Sequence, residues 1–271
     1  MGEAARLRVT GQGPPMLLLH GNPDTGAMWN PVVERLQDRF TCLVPDLPGF
    51  GGSSACDADI TTVGMADWSA RVLDQAGVDG PVHVVAHDFG GPYGCAFAVV
   101  HEDRLASVTL TNTLFFRGLR WHFWARVWRT PILGELATLT TPYPLFRREV
   151  LRGSPRLPEH HIRSSFAAMT PATRRHVLKL YRAHPTDIFE RPVPGRDQSW
   201  ADAFRAVARR VPSQVLWGEL DPYLTSDNAD RFDAQRVVRF PDLGHWAAAE
   251  GPDAFCEALV AGLVAQGAVE G

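Results

Sequence analysis

Six short, β-rich runs alternate along the sequence with stretches that suit helices. Several of the runs are apolar at consecutive positions rather than at every second position, which is typical of strands covered on both faces. The alternation predicts an α/β fold with a mostly parallel, doubly covered sheet. We expect strands over residues 15–19, 40–44, 82–86, 106–111, 213–217 and 236–240, and helices over residues 28–36, 61–76, 90–100 and 253–265.

The alternation stops between about residue 115 and residue 206. This stretch has no clear strand, is rich in aromatic residues, and is cut into short helical pieces by prolines. We therefore divide the 271 residues into a core, residues 1–115 and 207–271, and an inserted helical cap, residues 116–206. Ligands of parallel sheets bind beyond the carboxyl ends of the strands, so we expect the insertion to cover that edge as a lid.

The composition and net charge of the chain indicate which classes of binding partner it does not suit. Hydrophobic residues make up 45% of the chain, charged residues 21%, and the formal net charge is -3. This balance argues against nucleic acid or an anionic membrane as the main partner. No window of ~18 apolar residues is present and the N-terminal stretch has no apolar signal segment, so we expect a cytoplasmic protein without a membrane span. The four cysteines show neither CxxC pairing nor metal-binding spacing.

Polar residues follow the apolar runs at the points where the predicted strands end. The motif HGNPD begins at His20, the run VHVV is followed by AHDFGG with Asp88 at its centre, and WGELD ends at Asp221. A further motif, FPDLGHW, places His245 after the last predicted strand. Because the carboxyl ends of parallel strands meet at one edge of a sheet, we expect these side chains to lie close together.

This set of motifs resembles the α/β-hydrolase fold. The pentapeptide AHDFG, residues 86–90, is similar to the family's small-x-nucleophile-x-small turn from strand to helix, where crowding demands small neighbours. HGNP lies upstream, and WGxxD and GH lie downstream, in the family's order of nucleophile, acid and histidine. The resemblance covers about residues 17–91 and 215–250, and the insertion takes the place of the family's helical cap. It implies neither a cofactor nor a metal.

The nucleophile position holds Asp88, where a serine is more usual. This resembles the branch that contains epoxide hydrolases and haloalkane dehalogenases. The chemistry agrees, because a serine that attacks an sp3 carbon forms an ether, whereas a carboxylate forms an ester that water can cleave. Aspartate, with an ordinary pKa of ~3.9, is already ionised at pH 7. We therefore expect an alkylating electrophile, either an epoxide or a halide, as the substrate.

The resemblance implies roles for four further residues. His245 would deprotonate water for attack on the alkyl-enzyme ester, and Asp221 would orient and stabilise its imidazole. The backbone N–H groups of Asn22 and Phe89 would hold the oxyanion of that step. Each residue of the triad also has a structural explanation, such as a helix N-cap for Asp88, but three coincidences in the family's order favour catalysis.

The epoxide reaction requires a proton donor for the departing alkoxide, and a tyrosine with an ordinary pKa of ~10 suits this role. Tyr181 in VLKLYRA resembles the cap tyrosine that epoxide hydrolases carry just before an arginine; its structural explanation is a half-buried helix aromatic. Tyr143 is the candidate for a second donor, although its sequence context matches less well. His122, His160 or His161 could take that second place.

The halide reaction requires N–H donors around the leaving anion. Phe89 has no donor where dehalogenases typically carry a tryptophan, but Asn22 is similar to the asparagine that they place at the halide. Trp121, Trp124 and Trp128 follow at helical spacing on one face, which is typical of core or lid packing. If Trp121 or Trp124 lines the pocket instead, the substrate is bulky and apolar, and an indole N–H could hold a halide.

We therefore predict a hydrolase that opens an epoxide to a vicinal diol through a covalent ester on Asp88. Its partner is a small apolar electrophile, with no nucleic acid involved, and a homodimer is left open. The first alternative is a haloalkane dehalogenase that uses the same triad with Asn22 and a cap tryptophan. Two further alternatives are a small-molecule receptor without turnover and a biosynthetic lyase or cyclase on the same fold.

Overall fold

The computed structural model describes residues 5–270, which contain one seven-stranded sheet in the order β1-β3-β2-β4-β5-β6-β7. All neighbouring strands are parallel except β1, which runs antiparallel to β3 at the edge. The predicted α/β class and mostly parallel sheet are therefore confirmed. The strands are β1 Leu7–Thr10, β2 Pro15–Leu19, β3 Thr41–Pro45, β4 Val82–Asp88, β5 Leu105–Thr113, β6 Ser213–Gly218 and β7 Arg236–Phe240.

An apolar layer on each face of the sheet explains why the strand sequences are hydrophobic at consecutive positions. Successive side chains of a strand point to opposite faces. In β2, Leu17 and Leu19 join the cluster on one face of the sheet, whereas Met16 and Leu18 join the cluster on the other. All four side chains are fully buried. Strand β1 is largely exposed and carries no such run, which is why the sequence pattern did not predict it.

Helices cover both faces of this sheet. α2 and α3 pack against each other on one face, and α1 packs with α10 and α11 on the other. The side chain of Thr61 accepts a hydrogen bond from the Gly64 N–H and so caps the start of α2. These helices are α1 Asn30–Leu36, α2 Thr62–Gln75, α3 Gly90–Val100, α10 Ala247–Glu250 and α11 Pro252–Ala265.

The connection from β5 to β6 is a chain of helices that we call the insertion, residues 114–212. Helices α4, α5 and α8 pack on one another, and α6 packs on α7. The last helix, α9, packs on α3, and its Trp200 and Phe204 rings meet Phe115 at the end of β5. The helices are α4 Phe123–Arg129, α5 Leu133–Thr140, α6 Tyr143–Gly153, α7 Glu159–Ala168, α8 Pro171–Ala183 and α9 Trp200–Ala208.

Between residues 5 and 270, every helix is either too short or too polar to cross a bilayer.

Candidate active site

Asp88 is the last residue of β4 and lies in the sharp turn to α3. Its φ angle is 47°, a left-handed conformation that a non-glycine residue adopts only under constraint. The turn demands small neighbours, because a Cβ on Gly90 would lie 2.4 Å from the Leu19 carbonyl oxygen. A Cβ on Gly21 would lie 2.3 Å from the Asp88 Cβ. This geometry lifts the carboxylate clear of the sheet at the carboxyl end of a central strand.

The two carboxylate oxygens of Asp88 have different surroundings. The Asn22 backbone N–H donates to Oδ1 at 2.8 Å, and the Phe89 backbone N–H also donates to the carboxylate. Oδ2 faces the Nε2 atom of His245 at 3.8 Å. Burial raises the pKa of Asp88 above its ordinary value, and the charge of His245 and the two N–H groups offset only part of that rise. Oδ1 thus accepts the Asn22 N–H, whereas Oδ2 faces His245 beyond hydrogen-bond distance.

His245 is held from its other side by Asp221. The Nδ1 atom of His245 lies 2.7 Å from the Asp221 Oδ2, and both side chains are buried. The Asn112 side-chain amide donates to the same Oδ2 at 2.9 Å, and the Tyr223 backbone N–H donates to Oδ1 at 2.7 Å. With the carboxylate fixed by these donors, Nδ1 carries its proton toward Asp221 and Nε2 points toward Asp88.

The charge state of His245 follows from its neighbours. Burial opposes its charged form, but the charge and hydrogen bond of Asp221, together with the charge of Asp88, raise its pKa above the ordinary value. The adjacent His87 stays neutral, because burial and the charge of His245 hold its pKa well below the usual range. The Nε2 of His87 donates to the His245 backbone carbonyl at 2.9 Å and so supports the turn that carries His245.

The loop that carries Asn22 is anchored at both ends. The His20 ring bridges the Gly21 carbonyl and the Leu47 N–H at 2.9 and 2.8 Å. Two residues beyond Asn22, the carboxylate of Asp24 accepts from the Trp246 indole N–H at 2.6 Å. The loop that carries Asn22 is therefore tied to the residue that follows His245.

A cavity of about 120 Å³ lies over the carboxyl ends of the strands and is lined mainly by apolar side chains. Asn22, Asp88, Phe89 and His245 form its floor, and side chains of the insertion form its walls and roof. An apolar cavity of about 150 Å³ is enough to bind benzene. The resting cavity thus accommodates a substrate of about the size of one aromatic ring.

The two candidate tyrosines of the insertion lie in different places. Tyr181, on α8, is buried in the cavity wall, with its ring 4.9 Å from that of Phe89. Burial and the charge of Asp88 raise its pKa well above the usual value, and the Asn22 side-chain amide opposes this rise. Tyr143, on α6, lies outside the cavity lining, and its hydroxyl donates to Glu159 at 2.5 Å. The structure thus places Tyr181 beside Asp88 but removes Tyr143 from the predicted site.

The three tryptophans predicted to share a face all contribute to the cavity wall. The indole N–H of Trp121 donates to the His184 carbonyl at 3.2 Å, so this donor already has a partner. The Trp124 indole is directed toward Glu149 and is one of the groups that lower the pKa of that carboxylate. The ring of Phe89 stacks on Trp121. Trp121 and Trp124 therefore shape the cavity, with their polar atoms directed to protein groups.

Of the three histidines named as candidates for the second proton donor, His122 lines the cavity. It lies in the cavity wall, 5.2 Å from the Tyr223 ring, and its Nδ1 accepts a hydrogen bond from the Ala125 N–H that caps α4. Burial and the charge of His245 lower its pKa to about 4. An imidazole that is neutral and accepts at Nδ1 carries its proton on Nε2. His160 and His161 lie outside the cavity lining.

Asn112, Asp24, Tyr223 and Glu149 are the site residues that sequence reasoning missed. Asn112 stands at the carboxyl end of β5 in TLTNT, so a polar residue at a predicted strand end could have found it. Asp24 ends the motif HGNPD, so only its partners were missed, whereas no sequence signal singles out Tyr223 or Glu149. Among residues 5–270, no group of three or more histidine, cysteine, aspartate or glutamate side chains is arranged to hold a metal ion.

Comparison with known sequences agrees with this geometry. The sequence profile of the family described as alpha/beta hydrolase fold matches residues 14–252. The chain is 29% identical to haloalkane dehalogenase 2 of Mycobacterium tuberculosis over 268 residues, 92% of this chain and 88% of that one. It is 28% identical to a cis-3-alkyl-4-alkyloxetan-2-one decarboxylase of Xanthomonas campestris over 258 residues, 86% of this chain and 83% of that one.

Solved structures agree as well. A variant of a candidate epoxide hydrolase from Pseudomonas aeruginosa superposes with a TM-score of 0.78 at 26% identity, covering 99% of this chain and 96% of that one. An esterase from Thermogutta terrifontis superposes with a TM-score of 0.73 at 26% identity, covering 95% and 92%. The predicted resemblance is confirmed: the chain is an enzyme of the α/β-hydrolase superfamily, in the branch that holds epoxide hydrolases and haloalkane dehalogenases.

Proposed function

We propose that this enzyme hydrolyses a small apolar epoxide to a vicinal diol through a covalent ester on Asp88. The observation that carries the proposal is the position of Tyr181, whose buried side chain lines the same cavity as Asp88 and Asn22 and lies 4.9 Å, ring to ring, from Phe89. A tyrosine opposite the nucleophile supplies the proton that an opening epoxide needs. The insertion, which corresponds to the predicted cap of residues 116–206, brings this tyrosine to the strand ends.

The first step forms the ester. The free Oδ2 of Asp88 attacks one epoxide carbon, and the bond from that carbon to the ring oxygen breaks. The oxygen takes the electron pair of the broken bond and the proton of the Tyr181 hydroxyl. The His122 Nε2–H is the second donor for the same oxygen. The attack consumes the charge of Asp88, which is one cause of the raised pKa of Tyr181. The pKa of Tyr181 therefore falls while the ring oxygen is taking the tyrosine proton.

The second step cleaves the ester. His245 takes a proton from water through Nε2, and the resulting hydroxide attacks the carbonyl carbon of the esterified Asp88. The oxyanion forms on Oδ1, where the Asn22 backbone N–H already donates, and the Phe89 backbone N–H is the second donor of this step. Collapse of this intermediate expels the diol oxygen, which takes the proton from His245. The regenerated Asp88 carboxyl group loses its proton to solvent and Tyr181 regains one from solvent, so that the net reaction is the addition of one water.

The same charges explain how His245 changes from an imidazolium to a base. In the free enzyme the charge of Asp88 helps to raise the pKa of His245. Ester formation removes that charge, while burial still opposes the imidazolium. The pKa of His245 therefore falls when Asp88 is alkylated, and the neutral imidazole is present when water must be deprotonated.

The second candidate reaction is dehalogenation of a haloalkane. It is supported by the haloalkane dehalogenase among the relatives and by Asn22 at the cavity floor. The engaged indole of Trp121 weakens it, because this N–H already donates to a backbone carbonyl and is not free for a departing halide. The relative named as an oxetan-2-one decarboxylase supports a lyase as a further alternative, since a carboxylate nucleophile can also attack that strained ring. A receptor without turnover has no need of His245 opposite Asp88.

The test is a panel of epoxides and bromoalkanes that differ in size up to one aromatic ring. Diol is followed by chromatography, and acid release is followed with an indicator dye. We expect diol without acid, because epoxide hydration releases no net proton. Tyr181→Phe should lower the rate of ester formation from epoxides by about 10²–10⁴-fold, the usual contribution of a positioned acid.

Tyr143→Phe is the matched control, because its hydroxyl lies outside the cavity, and it should leave diol formation unchanged. Release of acid and halide from bromoalkanes, with full activity in Tyr181→Phe, would overturn the epoxide reaction in favour of dehalogenation. Equal losses in Tyr181→Phe and Tyr143→Phe would contradict a direct role for Tyr181.

A further inference from the structure

The outer surface of the insertion exposes an unusual amount of apolar side chain. Six of the eleven large hydrophobic residues exposed in residues 5–270 lie between residues 123 and 145. Phe123 is 61% exposed, Ile132 76% and Leu136 57%. Soluble monomers rarely expose large hydrophobic residues together, and such a cluster marks an interaction surface. The six are Phe123, Ile132, Leu133, Leu136, Leu139 and Leu145.

These side chains belong to three adjoining helices. α4 packs on α5, and Trp124 of α4 lines the same cavity as Glu149 of α6. Leu133, Leu136 and Leu139 follow at three-residue intervals along one side of α5. Ile132 precedes α5 with a φ angle of 69°, a costly conformation for a β-branched residue, and its side chain projects into solvent.

Arginines are interleaved with this apolar surface. Arg126 lies one helical turn after Phe123, and Arg148 lies one turn after Leu145, so each pair shares a face. Arg120 lies close to α4 in sequence and is exposed too. Within residues 5–270 these three arginines form no ion pair. We call the six apolar residues and three arginines the basic apolar face.

The balance of charge in this region is the reverse of the whole chain. Residues 117–152 contain seven arginines and two glutamates, although the formal net charge of the protein is -3. Both glutamates are already paired, Glu135 with Arg182 and Glu149 with Arg152. The negative net charge of the whole chain, which argues against an anionic membrane as a partner, thus conceals a local basic surface. Arginines around exposed apolar side chains match an anionic lipid surface, which offers phosphates outside and hydrocarbon beneath.

The face also adjoins the mouth of the cavity. Leu145 and Arg120 belong both to the face and to the cavity lining, and Thr138 and Thr141 line the same opening. We infer that the basic apolar face docks this enzyme on anionic lipid membranes, so that apolar molecules dissolved in the lipid enter the cavity without crossing water. This surface binding is separate from the proposed reaction and is testable without any substrate.

A second copy of the chain fits the face less well. In a two-fold symmetric dimer each surface patch meets its own copy. Arg126 and Arg148 would then approach the same arginines of the partner, and the nearby carboxylates are already engaged in ion pairs. Lipid headgroups supply the negative charge that this arrangement lacks.

The experiment measures co-flotation of the full chain with vesicles of phosphatidylcholine alone or of equal parts phosphatidylcholine and phosphatidylglycerol. We expect binding to the anionic vesicles, weakened by salt, and at least tenfold weaker binding to the neutral ones. Arg126→Ala should weaken binding about fivefold, the usual effect of one cation near an anionic surface. Leu136→Asp should weaken it at least tenfold.

Matched controls use exposed residues on other surfaces. Arg8→Ala, on β1, repeats the charge change, and Val264→Asp, on α11, repeats the apolar-to-acidic change. Both should bind within twofold of the unchanged protein. Thermal unfolding of each variant verifies that the fold is intact. The inference is overturned if anionic vesicles do not bind the protein, or if the controls weaken binding equally. It is also overturned if light scattering finds a dimer that Leu136→Asp dissociates.

Discussion

At the scale of single residues, Asp88 and His245 are coupled through their charges. Their facing atoms, Oδ2 and Nε2, lie 3.8 Å apart, and each group favours the charged form of the other. The gap is wider than a hydrogen bond, so the Asp88 oxygen remains free to attack. A third buried group, Asp221, keeps the imidazole in one orientation after Asp88 has reacted.

Removing the base should therefore separate the two steps. In His245→Gln we expect alkylation of Asp88 to continue while hydrolysis of the ester slows by about 10²–10⁴-fold. Intact-protein mass spectrometry after incubation with a small aryl epoxide should show a mass increase of one epoxide. Peptide mapping should place the addition on the peptide that contains Asp88.

The control for this experiment is the double variant Asp88→Ala with His245→Gln, which should show no addition. A mass increase that persists in the double variant would mean that another nucleophile reacts. A His245→Gln protein that turns over without any trapped ester would contradict the covalent mechanism.

At the scale of elements, a buried ion pair fastens α7 to the loop of the oxyanion donor. The Nε2 atom of His161 lies 3.1 Å from the Asp24 carboxylate, and Ser165, one turn later on α7, donates to the same oxygen. Although burial opposes its charged form, the charge of His161 lowers the pKa of Asp24 to about 2. Burial likewise opposes the charge of His161, but Asp24 outweighs it and raises the pKa of His161.

We expect His161→Leu to lower the free energy of unfolding by about 3–5 kcal/mol at pH 5, because it leaves a buried carboxylate without its cation. A raised histidine pKa stabilises the fold below the ordinary value of ~6.5, and this contribution is lost as pH rises through the folded pKa. A lowered aspartate pKa stabilises above the ordinary value of ~3.9, and this is lost as pH falls. The effect of the substitution should thus be larger at pH 5 than at pH 9.

Urea unfolding at the two pH values measures this difference. Asp24→Asn in the His161→Leu background should recover part of the loss, because it removes the unpaired charge. An equal loss at pH 5 and pH 9 would show that His161 acts only through packing.

The elements also show what the sequence could and could not predict. The predicted strands follow from burial on both faces, and the rule that strand ends share one edge brings Asp88, His245 and Asp221 together. That rule does not extend to the insertion, where position depends on how helices pack. Tyr181 and Tyr143 both lie on helices, and only the orientation of α6 and α8 decides which hydroxyl faces the cavity. The interior role of Asp24 was hidden for the same reason.

At the scale of the whole molecule, the sheet and the insertion supply complementary parts of the proposed chemistry. The strand ends hold the nucleophile, the base and the oxyanion donors on a fixed framework of buried apolar layers. The insertion contributes Tyr181 and the cavity wall. Ester formation requires both parts to meet, whereas ester hydrolysis relies mainly on groups of the core. The two steps should therefore respond differently to pH.

The pH dependence of turnover should distinguish the two steps. Protonation of His245 stops hydrolysis of the ester, whereas protonation of Asp88 stops alkylation. Hydrolysis needs neutral His245, and Asp221 still favours the charged imidazole after Asp88 has been alkylated, so hydrolysis should slow as pH falls toward and below the ordinary histidine value of ~6.5. Alkylation needs only ionised Asp88 and protonated Tyr181, so it should persist to lower pH, until Asp88 gains its proton. Because the pKa of Tyr181 lies well above its ordinary ~10, no alkaline loss is expected up to that pH.

Rapid quenching of the unchanged enzyme between pH 5 and pH 9, followed by mass spectrometry, should find the ester accumulating at pH 5 and barely detectable at pH 8. An ester level that stays constant across this range would contradict His245 as the base of the second step.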